Sequence, residues 1–342
     1  MKMSTFNRVL TEIEQRQVQD QQTPPRPGQP SRLDQYRREK IAAVERVTGR
    51  PLIVYATACT TSGKPVPSEM LMLDISDKIG FRTVTDDIAG PNLDILLHSP
   101  GGYPDATESI VQQLRGKYSS IRFIIPSFAK SAATMLAMSG NEILMDRDAE
   151  LGPIDPQMRT QNGTSPAESI LEQFGKAQTE LQGNPAMLPS WIPILTPLGP
   201  SLLVDAKHAI DLSKTLVKTW LVAYMFAGDA DADRKATAIA DFLGDHGRFH
   251  SHGRAVKIPE LLPLGVKVTD IRADRTLQGT VDELYCCLDI VLGNTPAAKI
   301  FENSAGDALL RQTGLIQAMP FLRIPQQPMV PSPGLPQPPR RS

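Results

Sequence analysis

Three short apolar runs, each strand-sized and separated by helix-like stretches, constrain this chain more than any other feature. They are Leu93-Asp94-Ile95-Leu96-Leu97-His98, Arg122-Phe123-Ile124-Ile125-Pro126 and Asn141-Glu142-Ile143-Leu144-Met145-Asp146. Between them lie Pro104 to Leu114, with a proline acceptable in the first helical turn, and a small-residue stretch running to Gly140. Strand, helix, strand, helix, strand in this order is the logic of a parallel sheet with right-handed crossovers. The chain around them predicts a further strand at Pro51 to Thr57. Helices are expected over Leu33–Val47, Ile75–Ala89, Ala167–Gln182, Pro200–Phe226 and Asp231–Phe242. The expected class is therefore α/β with added C-terminal helices.

Two of the strand ends carry unusual chemistry. The first run leads into Ser99-Pro100-Gly101-Gly102, and the second into Ala129-Lys130-Ser131-Ala132-Ala133-Thr134. Gly101 and Gly102 lack Cβ, so their backbone can take positive φ and a substrate carbonyl can approach it closely. Ser131 stands at the mouth of a helix, where first-turn N–H groups have no intrahelical acceptor and the dipole favours an oxyanion. Amide hydrolysis passes through a tetrahedral intermediate bearing a full negative charge on oxygen. Losing one preorganised N–H donor to that charge costs about 2.7–4 kcal/mol of barrier. The two motifs together thus supply what acyl transfer through a serine requires: Ser131 as nucleophile, and the N–H of Gly102 or Gly101 with that of Ala132 as oxyanion hole. A serine hydroxyl also needs a base.

The order Leu-Leu-His-Ser-Pro-Gly-Gly, Ala-Lys-Ser-Ala-Ala-Thr, then Leu151-Gly152-Pro153-Ile154-Asp155-Pro156-Gln157 resembles the serine dehydrogenase proteinase family. Those proteins are relatives of signal peptide peptidase A and, more remotely, of the Clp protease subunit and the crotonase fold. The resemblance is densest from Pro51 to Gln157 and thinner from Pro200 to Thr269. It implies a ClpP/crotonase-like β-β-α superhelix, a nucleophile at Ser131, an oxyanion strand at Gly101-Gly102, and trimer-based or larger homo-oligomers.

Relatives of the signal peptide peptidase type use a serine–lysine dyad, with the lysine some tens of residues beyond the serine. A buried lysine sheds its proton near neutral pH and can then accept one from serine. Lys176 is the candidate best placed for that role. Lys130 neighbours the nucleophile but points elsewhere unless the chain bends sharply. Lys207, Lys214 and Lys218 share a long amphipathic helix. Histidine offers a competing mechanism through His208, His246, His250 or His252, of which His252 sits in a context the family shares. Asp245, His246, His250 and His252 are zinc-compatible residue types, but their spacing matches no closed structural zinc site, and no metal or cofactor is assigned. His98, in the oxyanion strand, is expected to be packed beside the site.

Composition narrows the alternatives. A formal net charge of −1 without a basic stripe excludes nucleic acid as an expected partner. Three cysteines, Cys59 and the adjacent Cys286-Cys287, make a poor disulfide framework and suit a reducing compartment. No apolar run reaches the roughly 18 residues of a membrane helix, and Met1 to Phe6 has no signal-peptide core. A cytoplasmic protein without a membrane span is expected. The chain divides into a Gln- and Pro-rich flexible arm over 1–32, a peptidase domain over 33–300, and a Pro-rich tail over 301–342. Pro185 to Pro200, containing Trp191, is an expected lid or interface. The functional expectation is an ATP-independent serine endopeptidase acting on peptides or unfolded chains. Its rivals are a crotonase-type acyl-CoA enzyme, which would use the same hole for an enolate, and a catalytically silent scaffold.

Overall fold

The computed structural model describes residues 3–313 apart from 27, 62, 161–162 and 197–198. Helices α1 (Thr5–Gln22) and α2 (Arg32–Thr48) lead to β1 (Leu52–Thr57), the single-turn α3 (Ser68–Leu71) and α4 (Asp77–Thr85). Next come β2 (Asn92–His98), α5 (Pro104–Arg115), β3 (Ser120–Ile125), the two-residue β4 (Phe128–Ala129), α6 (Ala132–Met138), β5 (Glu142–Met145) and β6 (Glu150–Leu151). A hairpin of β7 (Gln157–Thr160) and β8 (Gly163–Pro166) precedes α7 (Ala167–Gly183), α8 (Leu188–Leu195), α9 (Leu202–Trp220) and α10 (Ala232–Gly244). The short α11 (His246–Phe249) and α12 (Ile258–Leu261) follow, then β9 (Val268–Asp270), α13 (Arg275–Asn294), β10 (Ala297–Asn303) and β11 (Ala308–Gln312).

Seven strands form one sheet in the order β11-β10-β1-β2-β3-β5-β9. From β1 to β9 all neighbours are parallel, as the strand–helix alternation requires, while β10 and β11 add an antiparallel edge. Both faces are covered. Ile53 and Tyr55 of β1 point into one apolar layer with α4, α5, α6 and α10, while Leu52, Val54 and Ala56 point into the other with α1, α2 and α13. Alternate side chains of one strand thus enter different layers, which is why the strand sequences are apolar throughout rather than alternating. The result is a mixed α/β fold with a parallel-rich central sheet and extra helices.

Two expectations change. The first 32 residues are not simply an arm: α1 occupies Thr5–Gln22, with Ser4 as its N-cap. Its sequence is Gln-rich, but Val9 and Ile13 are buried against the α13 layer, Arg8 pairs with Glu283, and Asp20 accepts from Arg32. Two anchors and a cap suffice for a helix that the composition alone made unlike a packed element. The tail also starts later than residue 301, because β10 and β11 extend through Gln312. The Pro-rich segment Pro320–Ser342 lies outside the described residues. Over Pro185–Pro200 the chain forms a helical turn and α8, with Trp191 buried and its Nε1 donating to Glu180 at 2.9 Å. Among the described residues no helix is long and apolar enough to cross a membrane.

Candidate active site

At the end of β2 the chain turns sharply, with Gly101 at φ 100°. A Cβ there would stand 2.6 Å from the Lys130 carbonyl and 2.7 Å from Ser131 Cβ, so only glycine allows these two loops to touch. Gly102 is equally confined, since a Cβ would lie 2.1 Å from the Leu73 carbonyl oxygen. Leu73 pairs in parallel with Gly102: its N–H donates to Gly101 O at 2.8 Å, and its carbonyl accepts from Tyr103 N–H at 2.9 Å. That pattern consumes the groups on either side of Gly102. Gly101 N–H is directed to Ser99 Oγ at 3.2 Å. Gly102 N–H has no acceptor among the described residues.

Ser131 follows β4 and opens α6. Its backbone is at φ 51°, ψ −123°, one of only two positive-φ non-glycine positions among the described residues. For a residue with a Cβ this conformation is strained, by about 1–3 kcal/mol. The surroundings hold it in place. Lys130 N–H donates to Ser99 O at 3.0 Å, Thr134 Oγ1 donates to Ala129 O at 2.7 Å, and Gly152 N–H donates to Thr134 Oγ1 at 2.9 Å. Ser131 is half-buried and its hydroxyl makes no hydrogen bond among the described residues. Ala132 N–H, like Gly102 N–H, has no protein acceptor there. Two unpaired backbone donors therefore sit on the two touching loops beside a strained serine.

The lysines stand apart from Ser131 or are already paired. Lys176 lies on α7, exposed, with no hydrogen bond or ion pair among the described residues. Lys130 is anchored to Glu150 at 2.7 Å and to the carbonyls of Leu151 and Arg254 at 3.2 and 3.4 Å. Lys207, Lys214 and Lys218 pair with Asp211, Asp241 and Asp233 along α9.

Asp155 is the residue the sequence did not single out. It is 2 % exposed, and each carboxylate oxygen meets a histidine: His252 Nδ1 at 2.6 Å from Oδ1, and His246 Nδ1 at 3.0 Å from Oδ2. Gln157 Nε2 adds a third donor at 2.9 Å. A carboxylate only accepts, so each Nδ1 is the donor in its hydrogen bond with Asp155. The loop bearing His252 runs beside the nucleophile's loop, because Arg254 O accepts from Lys130 Nζ and Val256 pairs with Leu151. Asp245, by contrast, caps α11 by accepting from Arg248 N–H, and His208 and His250 are exposed. Among the described residues no group of three or more His, Cys, Asp or Glu side chains is arranged so that it could hold a metal ion. The signal available beforehand was only the motif Ile154-Asp155-Pro156, where prolines fix a buried acid, and a His-rich loop about 97 residues away.

His98 packs as expected. It is 1 % exposed, its ring 4.5 Å from Phe128 and 5.2 Å from Tyr285, with Cys59 Sγ 3.7 Å from Nε2. Burial brings its pKa down to about 4, against a weaker opposing contribution from its hydrogen bond with the Phe128 backbone.

The chain is similar in sequence to known proteins. Residues 40–188 match the family described as ClpP-like SDH-type serine proteinase. The uncharacterized protein MJ1495 of Methanocaldococcus jannaschii is 27% identical over 234 residues, covering 67% of this chain and 70% of that one. A second protein of the same organism, MJ0137, is 28% identical over 177 residues, 52% of this chain and about half of its own length (53%). Among solved structures, a serine-to-alanine mutant of the 1510-N membrane-bound stomatin-specific protease is similar with 18% identity, over 59% of this chain and 77% of that one, at TM-score 0.35. A lysine-to-alanine mutant of the same protease, in complex with a substrate peptide, gives 18% identity, 59% and 73% coverage, and TM-score 0.36. The family match thus falls on the segment 40–188, which carries Gly101, Gly102 and Ser131.

Proposed function

We propose that this chain is a serine peptidase whose nucleophile is Ser131, whose oxyanion hole is the N–H pair of Gly102 and Ala132, and whose general base is His252 held by Asp155. The observation that carries the reading is the strained Ser131 backbone, held against the glycine turn with two unpartnered N–H donors beside it. As Ser131 Oγ attacks the carbonyl carbon, His252 Nε2 takes its proton. The carbonyl oxygen becomes an oxyanion that Gly102 and Ala132 N–H stabilise. The imidazolium, stabilised by buried Asp155, then protonates the leaving amine, and water repeats the sequence on the acyl-enzyme. His246 shares the same carboxylate and holds it from the other side. Lys176 is the rival base; it stands exposed on α7 with no partner among the described residues, whereas His252 is held by buried Asp155 on a loop paired to that of Ser131, which favours His252. The same reading takes peptides or unfolded chains as substrate, needs no ATP and acts as a homo-oligomer.

Labelling with a fluorophosphonate, mapped by peptide mass, tests it. Adduct is expected at Ser131, absent in Ser131→Ala, slowed by roughly a thousandfold or more in Asp155→Asn, and unchanged in Lys176→Ala. Loss of labelling in Lys176→Ala with full labelling in Asp155→Asn would return the base to the lysine.

A further inference from the structure

Outside the Gly101 and Ser131 loops, the most heavily buried charged pair among the described residues is Lys299 with Asp77, both 0 % exposed. Lys299 Nζ meets both Asp77 oxygens, at 2.9 and 2.8 Å. The pair does more than neutralise itself. Lys299 Nζ also donates to the Met72 carbonyl at 2.6 Å, and Asp77 Oδ2 accepts from Asp74 N–H at 3.2 Å. Met72 and Asp74 flank Leu73, so one ion pair pins the backbone immediately before and after that residue. Leu73 is the residue laddered to Gly101 and Tyr103, on either side of Gly102. Tyr55, fully buried, donates to Asp77 Oδ2 at 2.9 Å.

We propose that Lys299, Asp77 and Tyr55 are positioning residues for the oxyanion hole: they fix Leu73, and through it the direction of Gly102 N–H. The inference rests on the serine-peptidase reading above. A backbone donor contributes only if it points where the oxyanion will form. Nothing on Gly102 itself sets that direction, since glycine allows a wide range of backbone angles. The direction comes from the two hydrogen bonds to Leu73, and Leu73 is held by a salt bridge whose lysine lies on β10, at the far end of the sequence. Placing a lysine and an aspartate at zero exposure is otherwise hard to account for, because an apolar pair of similar volume is often as stable or more so.

The test compares the rate and the stoichiometry of fluorophosphonate labelling at Ser131 in the full chain. Lys299→Met alone would leave buried Asp77 with only Arg311, 3.8 Å away, as a cationic partner, with the fold at risk. The informative variants are therefore Lys299→Met with Asp77→Leu, which removes both charges together, and Tyr55→Phe, which removes one hydroxyl. The expected result is stoichiometric labelling in both, with the rate down by about tenfold or more in the paired variant and about threefold in Tyr55→Phe, fractions of the roughly 100-fold or greater loss on removing a whole oxyanion donor. Full stoichiometry at the parental rate in both variants would overturn the inference. So would reduced stoichiometry at the parental rate, which is the mark of a role in folding alone. Failure of the parent chain itself to label at Ser131 would overturn the peptidase reading, and this inference with it.

Discussion

Replacing Ser131 by glycine is expected to make the protein more stable and inactive, whereas replacing it by alanine leaves stability unchanged. The reasoning starts from φ 51°, ψ −123°. A Cβ in that region costs about 1–3 kcal/mol. Alanine keeps the Cβ and therefore the strain. It removes only a hydroxyl that has no hydrogen-bond partner among the described residues, a change worth no more than about 0.5 kcal/mol. Glycine releases the strain but adds roughly 0.5–1 kcal/mol of backbone entropy to the unfolded chain. The balance favours Ser131→Gly over Ser131→Ala by about 1 kcal/mol. Equilibrium urea unfolding at one fixed protein concentration reads this as a midpoint higher by about 0.3–1 M, given typical denaturant slopes. Both variants lose fluorophosphonate labelling. If Ser131→Gly is no more stable than Ser131→Ala, the backbone at the nucleophile is not strained, and the argument that the fold holds this serine for chemistry fails.

Two further outcomes follow from the packing. His98 has its pKa lowered to about 4 from an ordinary 6.5, so between those values the unfolded chain takes up a proton that the folded chain refuses. Stability from this group is fully present above about pH 6.5 and is lost as pH falls toward 4, by about 3 kcal/mol in all; urea unfolding of His98→Gln should lack that loss, and identical pH slopes in parent and variant would refute the assignment. Gly80 faces the Phe301 ring, where a Cβ would stand 2.6 Å from a ring carbon, and that ring is held between Tyr55 and Phe81 at 4.9 and 5.4 Å. Gly80→Ala gains about 1 kcal/mol of helix propensity but costs about 1–3 kcal/mol in overpacking, so net destabilisation of about 1 kcal/mol is expected. A stabilised variant by chemical denaturation would mean that α4 does not press on β10 as described.

The parallel core was legible because its strands are buried on both faces, so β1, β2, β3 and β5 are apolar runs that need no alternation to be found. The nucleophile loop and the glycine turn were legible for a different reason: each is local, a few residues at one strand end. β10 defeated the same reading. Its seven residues are all buried, yet they include Lys299 and Glu302, whose charges are met by Asp77 and by Arg37 at 2.7 Å. Hydrophobic patterning registers charge and not its partner, and the partners lie more than 200 residues away. The acid of the His252–Asp155 pair was hidden for the same reason. His252 was noticed as a histidine and Asp155 only as part of a Pro-rich loop; their 2.6 Å contact is a property of the folded chain alone.

The distribution of these long-range contacts bears on what the catalytic unit is. Residues 40–188 carry the family match, and by motif they contain the serine, the glycines and the acid. On the proposed reading they do not contain a complete site. His252 and His246 come from the segment after α10, and β10 supplies both the sheet neighbour of β1 and the lysine that pins Met72. Cutting the chain after residue 188 would expose the β1 edge, leave Asp155 and Asp77 buried without their cationic or imidazole partners, and strand charge in an apolar layer, an error costing several kcal/mol at each site. The helices and strands beyond α7 are thus not an appendage to the matched segment: they bring His252 and His246 to Asp155, place β10 beside β1, and hold Met72 next to the residue laddered to the glycine turn. On the proposed serine-peptidase reading, the site therefore draws on residues nearly as far along the chain as the described structure extends.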